Sequence, residues 1–204
     1  DLMNDSTRLL IVTKKLTQAE AAFCYDSLKL YPQSGLLAYD AIALVVNRQA
    51  RDSVFTLPQL TGLLKGSTGL PYTPLFDGLK ATSTVRYAID SLLQGQPLNA
   101  QKIAAARSSR QVVEAVAANP GYLGFVGVSW IGNPEDTAQT RLLQQVRIAW
   151  LPCDTCSDGA YYKPWQEEIL TNRYPLTRGI FYVLKENRPG LGKGFVNFMK
   201  GDRG

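Results

Sequence analysis

The sequence predicts an α/β fold, because strand and helix signals alternate along the chain and two long extended segments bracket a middle block. The bracketing segments are residues 36–47 and 174–185. The 204 residues are 45% hydrophobic and 19% charged, which is enough apolar material for a sizeable core. We expect the chain to cross to a second lobe along the first segment and to return along the second.

Local signals predict each element in order. Capping boxes at Thr17 and Thr56, each followed three residues later by Glu or Gln, open the first two helices. The glycine- and proline-rich residues 65–80 predict a loop. The predicted order is a strand at 8–13, a helix at 17–30, a strand at 36–47, a helix from Thr56 with Leu60, Leu63 and Leu64 inward, the loop, a helix from Thr82 or Ser83 to Leu93, a helix from Ser108 or Ser109 to 118, a strand at 122–130, a strand near 146–151, a helix near 165–171, an extended segment at 176–185, and a terminal helix at 191–199 with Phe195 and Phe198 inward.

The helix that starts at Thr82 or Ser83 carries hydroxyl groups and cations at its beginning. Its apolar residues recur at helical spacing, so one of these hydroxyls should be the N-cap. The first amides then have no partner inside the helix, and with the helix dipole and Arg86 they suit phosphate or sulfate better than a neutral ligand. Ser and Thr also cap helices that bind nothing. The segment therefore indicates either an oxyanion site or a plain cap.

The chain contains no histidine. This excludes Ser-His-Asp and Cys-His catalytic units and histidine-ligated zinc, so we expect a binding protein and not an enzyme, with no metal and no cofactor. The best groups for acid–base chemistry would be Asp77, Lys80 and Asp90. Asp90 lies two turns into its helix, where a solvated face is the simpler interpretation.

The net charge is +5 and the pI is about 9.1, but the cations are scattered along the chain. An arginine-rich run, or a stripe of aromatic residues interleaved with lysines, would indicate nucleic-acid binding, and neither occurs. The most apolar run, residues 41–46, has the length of a strand and not of a membrane span. The positive charge therefore favours a small anionic ligand. No signal peptide is visible, and a chain that opens with Asp1 and not with Met is expected to be processed or trimmed.

Three cysteines bear on the compartment. Cys153 and Cys156 form a C-x-x-C motif in a loop after an apolar run, which is not the context of a thioredoxin-like motif. The pair is either a short disulfide, as in an oxidising compartment, or two reduced thiols. Cys24 should pack as a small apolar residue of the first helix. The aromatic residues in 161–165 indicate a partner surface, a cleft rim or a small core.

Five stretches, in register over almost the whole chain, carry a family resemblance. They are NDSTRLLIVTKKLT at 4–17, YDAIALVVN at 39–47, STVR at 83–86, NPGYLGFVG at 119–127 and YPLTR at 174–178. In this order they resemble the phosphate-binding component of bacterial phosphate ABC transporters, and most closely its lipoprotein-type members in Bacteroidetes-like bacteria.

The resemblance implies the type II fold of periplasmic binding proteins, with two α/β lobes joined by two crossing segments. Residues 1–40 and 173–204 would form lobe one, and residues 41–172 lobe two. The implied ligand residues are Thr13, Lys14, Ser83, Thr84, Val85 and Arg86.

Two of these residues depart from the family pattern. Val85 stands where threonine is more usual, so only its backbone N–H would be available. Lys14 stands where some members carry an aspartate that accepts the phosphate proton, so it would favour the dianion or another oxyanion such as sulfate.

The ends of the chain also depart from the pattern. Family members begin with a strand and helix whose connecting loop contacts the ligand, and they continue past the position of Gly204 into a closing strand and helix. Lobe one should then be incomplete, with an exposed sheet edge and exposed apolar surface. A rearranged lobe, completion by another chain or a swapped segment, and weak anion binding are the three alternatives.

The resemblance implies capture of phosphate or a similar tetrahedral oxyanion for an inner-membrane permease. It implies a periplasmic location, with a lipid anchor on a segment absent from this chain. A different class of function is a sensor or interaction module that has lost its ligand, and an enzyme using Asp or Glu with Lys is the third alternative.

Overall fold

The computed structural model describes residues 7–78, 82–131, 135–157, 159–186 and 188–201, which form two compact units. The smaller unit contains Asp1–Asp40 and Arg178–Gly204, and the larger unit contains Ala41–Thr177. The chain thus returns to the smaller unit at Arg178, whereas the sequence predicted a return at Arg173. Residues 4–6, which open the first resembling stretch, lie outside the described residues.

The return falls later because the intervening residues belong to the core of the larger unit. Tyr174 and Leu176 are fully buried there. The Tyr174 hydroxyl donates to the Ile42 carbonyl at 2.9 Å, and the Ile42 N–H donates to the Leu176 carbonyl at 3.0 Å. Whether the two units act as the lobes of a binding protein stays a prediction.

Strands and helices alternate along the chain, and this confirms the predicted α/β class. In chain order the elements are β1 (Leu9–Val12), α1 (Gln18–Leu28), β2 (Gln33–Asn47), α2 (Leu57–Lys65), β3 (Thr73–Phe76), α3 (Ser83–Tyr87) running into a π-helical turn (Ala88–Leu92), β4 (Ala104–Ala105), α4 (Ser109–Ala118), β5 (Tyr122–Gly127), a 3-10 turn (Val128–Trp130), α5 (Thr137–Leu143), β6 (Val146–Ile148), β7 (Leu151–Pro152), β8 (Tyr161–Tyr162), α6 (Gln166–Leu170), β9 (Thr177–Leu184) and α7 (Leu191–Met199).

The larger unit is built on a sheet with strand order β4-β3-β5-β2-β6. Strands β3, β4 and β5 are parallel, and β2 runs antiparallel to β5 and β6. Alternate side chains of β2 point to opposite faces of the sheet. Ala43 and Val45 pack with the valines of α4, whereas Ile42, Leu44 and Val46 pack with α2 and α3. Helices therefore cover both faces of this sheet, and α3 packs on one of them.

The smaller unit has much less buried core in its described part. β1 pairs antiparallel with β9, which also neighbours β2. Cys24 and Val183 are buried there, against partly buried Leu10, Val12 and Leu16. Large apolar side chains are exposed on this unit, including Phe23, Tyr31 and Leu191. Exposed apolar surface was predicted for this lobe.

The terminal helix α7 forms where predicted, but its predicted inward face is wrong. Phe195 and Phe198 are 44% and 55% exposed, and Val196 is the residue that is buried. Gly192, one turn before Val196, approaches β9 so closely that an added Cβ would lie 2.6 Å from a Leu184 methyl carbon. The helix therefore packs through its Gly192 and Val196 side, and the two phenylalanines lie to the flank.

The predicted loop at 65–80 contains a strand, β3, that the sequence analysis missed. Pro74 lies inside this strand and lacks the N–H that a central strand normally donates. The Thr73 N–H donates to the Gly121 carbonyl on the β5 side, so the position of Pro74 faces the side of β4. β4 pairs with β3 only from Leu75 onward, so no β4 residue lies opposite Pro74. The missing N–H of Pro74 therefore costs no hydrogen bond between the strands.

Other boundaries also differ from prediction. The strand predicted to run to residue 130 ends at Gly127, and the strand predicted at 146–151 is divided into β6 and β7. Trp150 lies between these two strands, where its N–H donates to the Ser53 carbonyl and its carbonyl accepts from the Phe55 N–H. Strands β4 and β8 and helix α5 had no counterpart in the predicted order.

Candidate functional site

The start of α3 has the capped geometry that the sequence predicted. Thr82 is the N-cap, with extended backbone angles (φ −73°, ψ 155°), and its hydroxyl accepts a hydrogen bond from the Val85 N–H at 3.3 Å. The Arg86 N–H donates to the Thr82 carbonyl at 3.0 Å. Thr82 therefore fixes where the helix begins and in which direction its first amides point.

The four residues predicted at this helix start differ sharply in exposure. Thr84 and Val85 are buried, whereas Ser83 and Arg86 are exposed. The Ser83 hydroxyl and the Arg86 guanidinium are therefore the polar side-chain groups that a dissolved anion can reach. A bound anion would compete with the Thr82 hydroxyl for the Val85 N–H.

A tyrosine on α3 ties this helix to the segment along which the chain returns. The Tyr87 hydroxyl donates to the carbonyls of Pro175 and Thr177, at 3.4 and 3.3 Å. Below it, Ala88, Leu92 and Leu93 are buried in the core of the larger unit. The helix start is thus held both by packing and by hydrogen bonds.

Tyr174 anchors the same return segment to β2, through its hydrogen bond to the Ile42 carbonyl. It is fully buried, and burial raises the pKa of its hydroxyl far above the usual value for tyrosine. Neither Tyr87 nor Tyr174 was singled out as a positioning residue by the sequence analysis. The one available signal was that Tyr174 opens the YPLTR stretch.

The remaining candidates lie in the smaller unit. Thr13 directly follows β1 and is half-buried, and Lys14 is exposed. Hydrogen bonds from Thr17 lower the pKa of Glu20, and the nearby charge of Lys14 lowers it further. Lys14 therefore lies near Glu20, which is in the first turn of α1.

The acid–base candidates Asp77 and Asp90 differ in their surroundings. Asp77 accepts a hydrogen bond from the Ser109 hydroxyl at 3.0 Å, and its other carboxylate oxygen is buried without a hydrogen bond. Asp90 is exposed on its helix, as expected. Lys80 lies outside the described residues.

Within the described ranges, no three His, Cys, Asp or Glu side chains are grouped so that they could hold a metal ion. The helices of the described part of the chain include none that is both long enough and apolar enough to cross a membrane.

Cys153 and Cys156 are joined in a disulfide, with their Cα atoms 5.3 Å apart. Of the two alternatives for the C-x-x-C motif, the structure has the bonded form. Cys24 is 1% exposed, as predicted for a residue that packs like a small apolar side chain.

The two α/β units, with β2 leaving one and the Tyr174 segment returning from the other, define a binding-protein class of fold. A family model described as a PBP superfamily domain matches residues 1–203. The chain therefore belongs to this family and has the fold of the periplasmic binding proteins.

Solved structures with the same fold cover nearly the whole chain. An ABC-type phosphate transport receptor from Vibrio cholerae has a TM-score of 0.70 and 20% identity, over 98% of this chain and 77% of the other. A possible phosphate binding protein from Planctomyces limnophilus has a TM-score of 0.68 and 16% identity, over 99% and 73%. A putative phosphate ABC transporter substrate-binding protein with bound phosphate, from Clostridium perfringens, has a TM-score of 0.68 and 17% identity, over 98% and 76%. Comparison with curated protein sequences gives no match.

Proposed function

We propose that this protein captures phosphate, or a similar tetrahedral oxyanion, and delivers it to the permease of an ABC transporter. The main support is the family match over residues 1–203, taken with the similarity to three structures described as phosphate-binding or phosphate-transport proteins. At 16–20% identity, the similarity to these structures supports the fold alone, so the ligand is our inference.

The proposed ligand groups of the larger unit are those at the start of α3. Arg86 would supply charge-assisted hydrogen bonds, and the Ser83 hydroxyl would donate a hydrogen bond to an anion oxygen. The backbone N–H groups of Thr84 and Val85 would complete this side, with Val85 exchanging its bond to Thr82 for one to the anion.

Thr13 and Lys14 are the proposed ligand groups of the smaller unit. A lysine ammonium attracts a dianion more strongly than a monoanion. The net charge of +5 would also raise the rate at which an anion meets the protein.

The mode of action that we propose is binding without chemistry. The three similar structures are described as binding proteins or receptors. A permease in the inner membrane would be the protein partner, and a nucleic acid is not proposed because the cations are scattered.

The proposed location is the periplasm. The Cys153–Cys156 disulfide supports an oxidising compartment. The lipid anchor that the resemblance implies stays a prediction.

A second candidate function is a sensor or interaction module that no longer binds the anion. Val85 favours it, because the side chain is buried in the core and its N–H is already bonded to Thr82. The start of α3 would then be only a capped helix.

Calorimetric titration with phosphate, sulfate and a neutral sugar tests the proposal. We expect saturable binding of phosphate and no binding of the sugar. A longer version that adds upstream residues should be titrated in parallel, because such residues supply ligand contacts in the family that the chain resembles. If neither version binds phosphate or sulfate, oxyanion capture is wrong and the second candidate is favoured.

A further inference from the structure

We propose that the larger unit carries a second binding site, which takes a small organic carboxylate with an apolar or aromatic body. The site is a cavity of about 310 Å³ beside β6, at the low end of the volumes of small-molecule pockets. Arg147, Trp150 and Lys163 line it together with Ser53, Leu143 and Ile148. None of these residues belongs to the proposed oxyanion site.

Arg147 lines the cavity and has one donor group without a hydrogen-bond partner. Its Nη2 group donates to the Ala50 carbonyl, but its Nε group is buried and has no hydrogen-bond partner. A buried guanidinium nitrogen without an acceptor is costly, and a carboxylate oxygen is the acceptor that matches it best.

Lys163 brings a second positive charge. Its ammonium nitrogen lies 4.4 Å from the centre of the Trp150 ring and 5.9 Å from that of Trp165. Burial lowers the pKa of Lys163, and the charge of Arg147 lowers it further. The residues that line the cavity include no Asp or Glu, so these two cations face the cavity without a counterion there.

The rest of the lining decides what kind of anion fits. Leu143, Val146, Ile148 and the Trp150 indole give the cavity an apolar part, which would gain nothing from a bare phosphate or sulfate. An acid with an apolar body buries that body against these walls and places its carboxylate between the two cations.

The aromatic residues near the cavity stand at the surface. Tyr161 and Trp165 are each 47% exposed, so the small core that was one of the alternatives for residues 161–165 is wrong for these two. They stay available to a ligand that enters from solvent.

Phenylacetate is a suitable probe, with 2-phenylethanol as its nearly isosteric neutral control. Binding should be followed by calorimetry and by tryptophan fluorescence, because Trp150 lines the cavity and the Trp165 ring lies 5.9 Å from the Lys163 ammonium. We expect saturable binding of phenylacetate at least about tenfold tighter than that of the alcohol, and quenched or shifted fluorescence.

Lys163→Met and Arg147→Met should each weaken phenylacetate binding by about tenfold or more. Lys102→Met is the matched control, because Lys102 lines a different cavity, of about 360 Å³. Arg147→Met also loses the bond to Ala50, so its thermal unfolding must be compared with the wild type. Lys163→Met makes no such change and keeps the test decisive.

Three results would overturn the proposal. The first is no phenylacetate binding, or binding equal to that of the alcohol. The second is an equal loss of affinity in Lys102→Met and Lys163→Met. The third is loss of phenylacetate binding in the Ser83→Ala, Arg86→Ala double variant, which would place the acid in the oxyanion site.

Discussion

The Arg178 guanidinium donates from Nε to a carboxylate oxygen of Asp40 at 2.8 Å, and both side chains are largely buried. Asp40 is the last residue of the smaller unit before the chain leaves it, and Arg178 is the first after the chain returns. The ion pair therefore ties the outgoing strand β2 to the returning strand β9 within that unit. The Nη1 group of Arg178 is buried without a hydrogen bond, so the pair is not fully satisfied.

Removing the Arg178 charge should destabilise the protein because Asp40 would be left buried and unpaired. We expect Arg178→Met to lower the free energy of unfolding by about 3 kcal/mol, measured by urea denaturation. Adding Asp40→Asn should recover part of this loss. Arg110→Met is the control, because its pair with Glu114 is exposed and should contribute less than about 1 kcal/mol. Equal losses in the two arginine variants would show that the buried pair has no special role.

Tyr174 predicts a specific alkaline instability. Burial raises the pKa of this hydroxyl in the folded protein, so its stabilising effect is complete below the unfolded pKa of about 10 and is lost as the pH rises above that value. The free energy of unfolding should therefore fall above pH ~10 by about 1.4 kcal/mol per pH unit from this group.

The variant Tyr174→Phe isolates that contribution. At neutral pH it should cost about 1–2 kcal/mol, because the bond to the Ile42 carbonyl is lost. Its disadvantage should shrink as the pH rises from about 10 to 11, since phenylalanine does not ionise. Tyr161→Phe serves as the exposed control and should follow the wild type. A Tyr174→Phe profile parallel to the wild type would contradict the burial argument.

The disulfide makes a prediction that does not depend on the family. The two cysteines are three positions apart, so closing their loop restricts the unfolded chain only slightly. Replacing both by serine should lower stability by less than about 2 kcal/mol.

Alkylation followed by mass spectrometry checks the cysteine assignments. Without reductant, the unfolded protein should gain one label, at Cys24, and the native protein should gain none because that thiol is buried. Three labels without reductant would mean that the disulfide is absent in the protein as isolated.

Lys14 should set which charge state of phosphate is preferred. If its ammonium contacts the anion, Lys14→Asp should shift the preference toward the monoanion, so that affinity improves relative to the wild type as the pH is lowered. Lys15→Asp makes the same change in net charge one residue later and should leave the pH profile unchanged in shape. Identical profiles for Lys14→Asp and wild type would exclude Lys14 from the site.

Much of the fold was predictable because its signals are local. The capping boxes at Thr17 and Thr56 both form as predicted, with Glu20 and Gln59 bonding back to the cap residues. Strand β3 was missed because Pro74 argues against a strand in the middle of a sheet. The proline is tolerated because β4 begins only opposite Leu75, and a local sequence pattern does not show which strands are neighbours. The exposure of Phe195 was missed because the packing face of α7 depends on the close approach of Gly192 to β9.

The candidate site was also predictable only where its signals are local. The cap at Thr82 depends on neighbouring residues, so the sequence predicted it correctly. The hydrogen bonds of Tyr87 and Tyr174 join residues 88 and 132 positions apart, and no local pattern indicates such partners. The burial of Val85 was predictable from helical spacing, but its bond to the cap hydroxyl needed the backbone geometry.

Equilibrium dialysis with labelled phosphate tests whether the start of α3 is an oxyanion site. The wild type should bind one phosphate per chain, and the Ser83→Ala, Arg86→Ala double variant should bind at least about 100-fold more weakly, because each lost contact to a charged ligand contributes about 1.5–3 kcal/mol. Arg110→Ala should retain wild-type affinity, and circular dichroism should show that all three proteins are folded. Absence of phosphate binding both to the wild type and to the version with added upstream residues, or unchanged affinity in the double variant, would contradict the proposed oxyanion site at the start of α3.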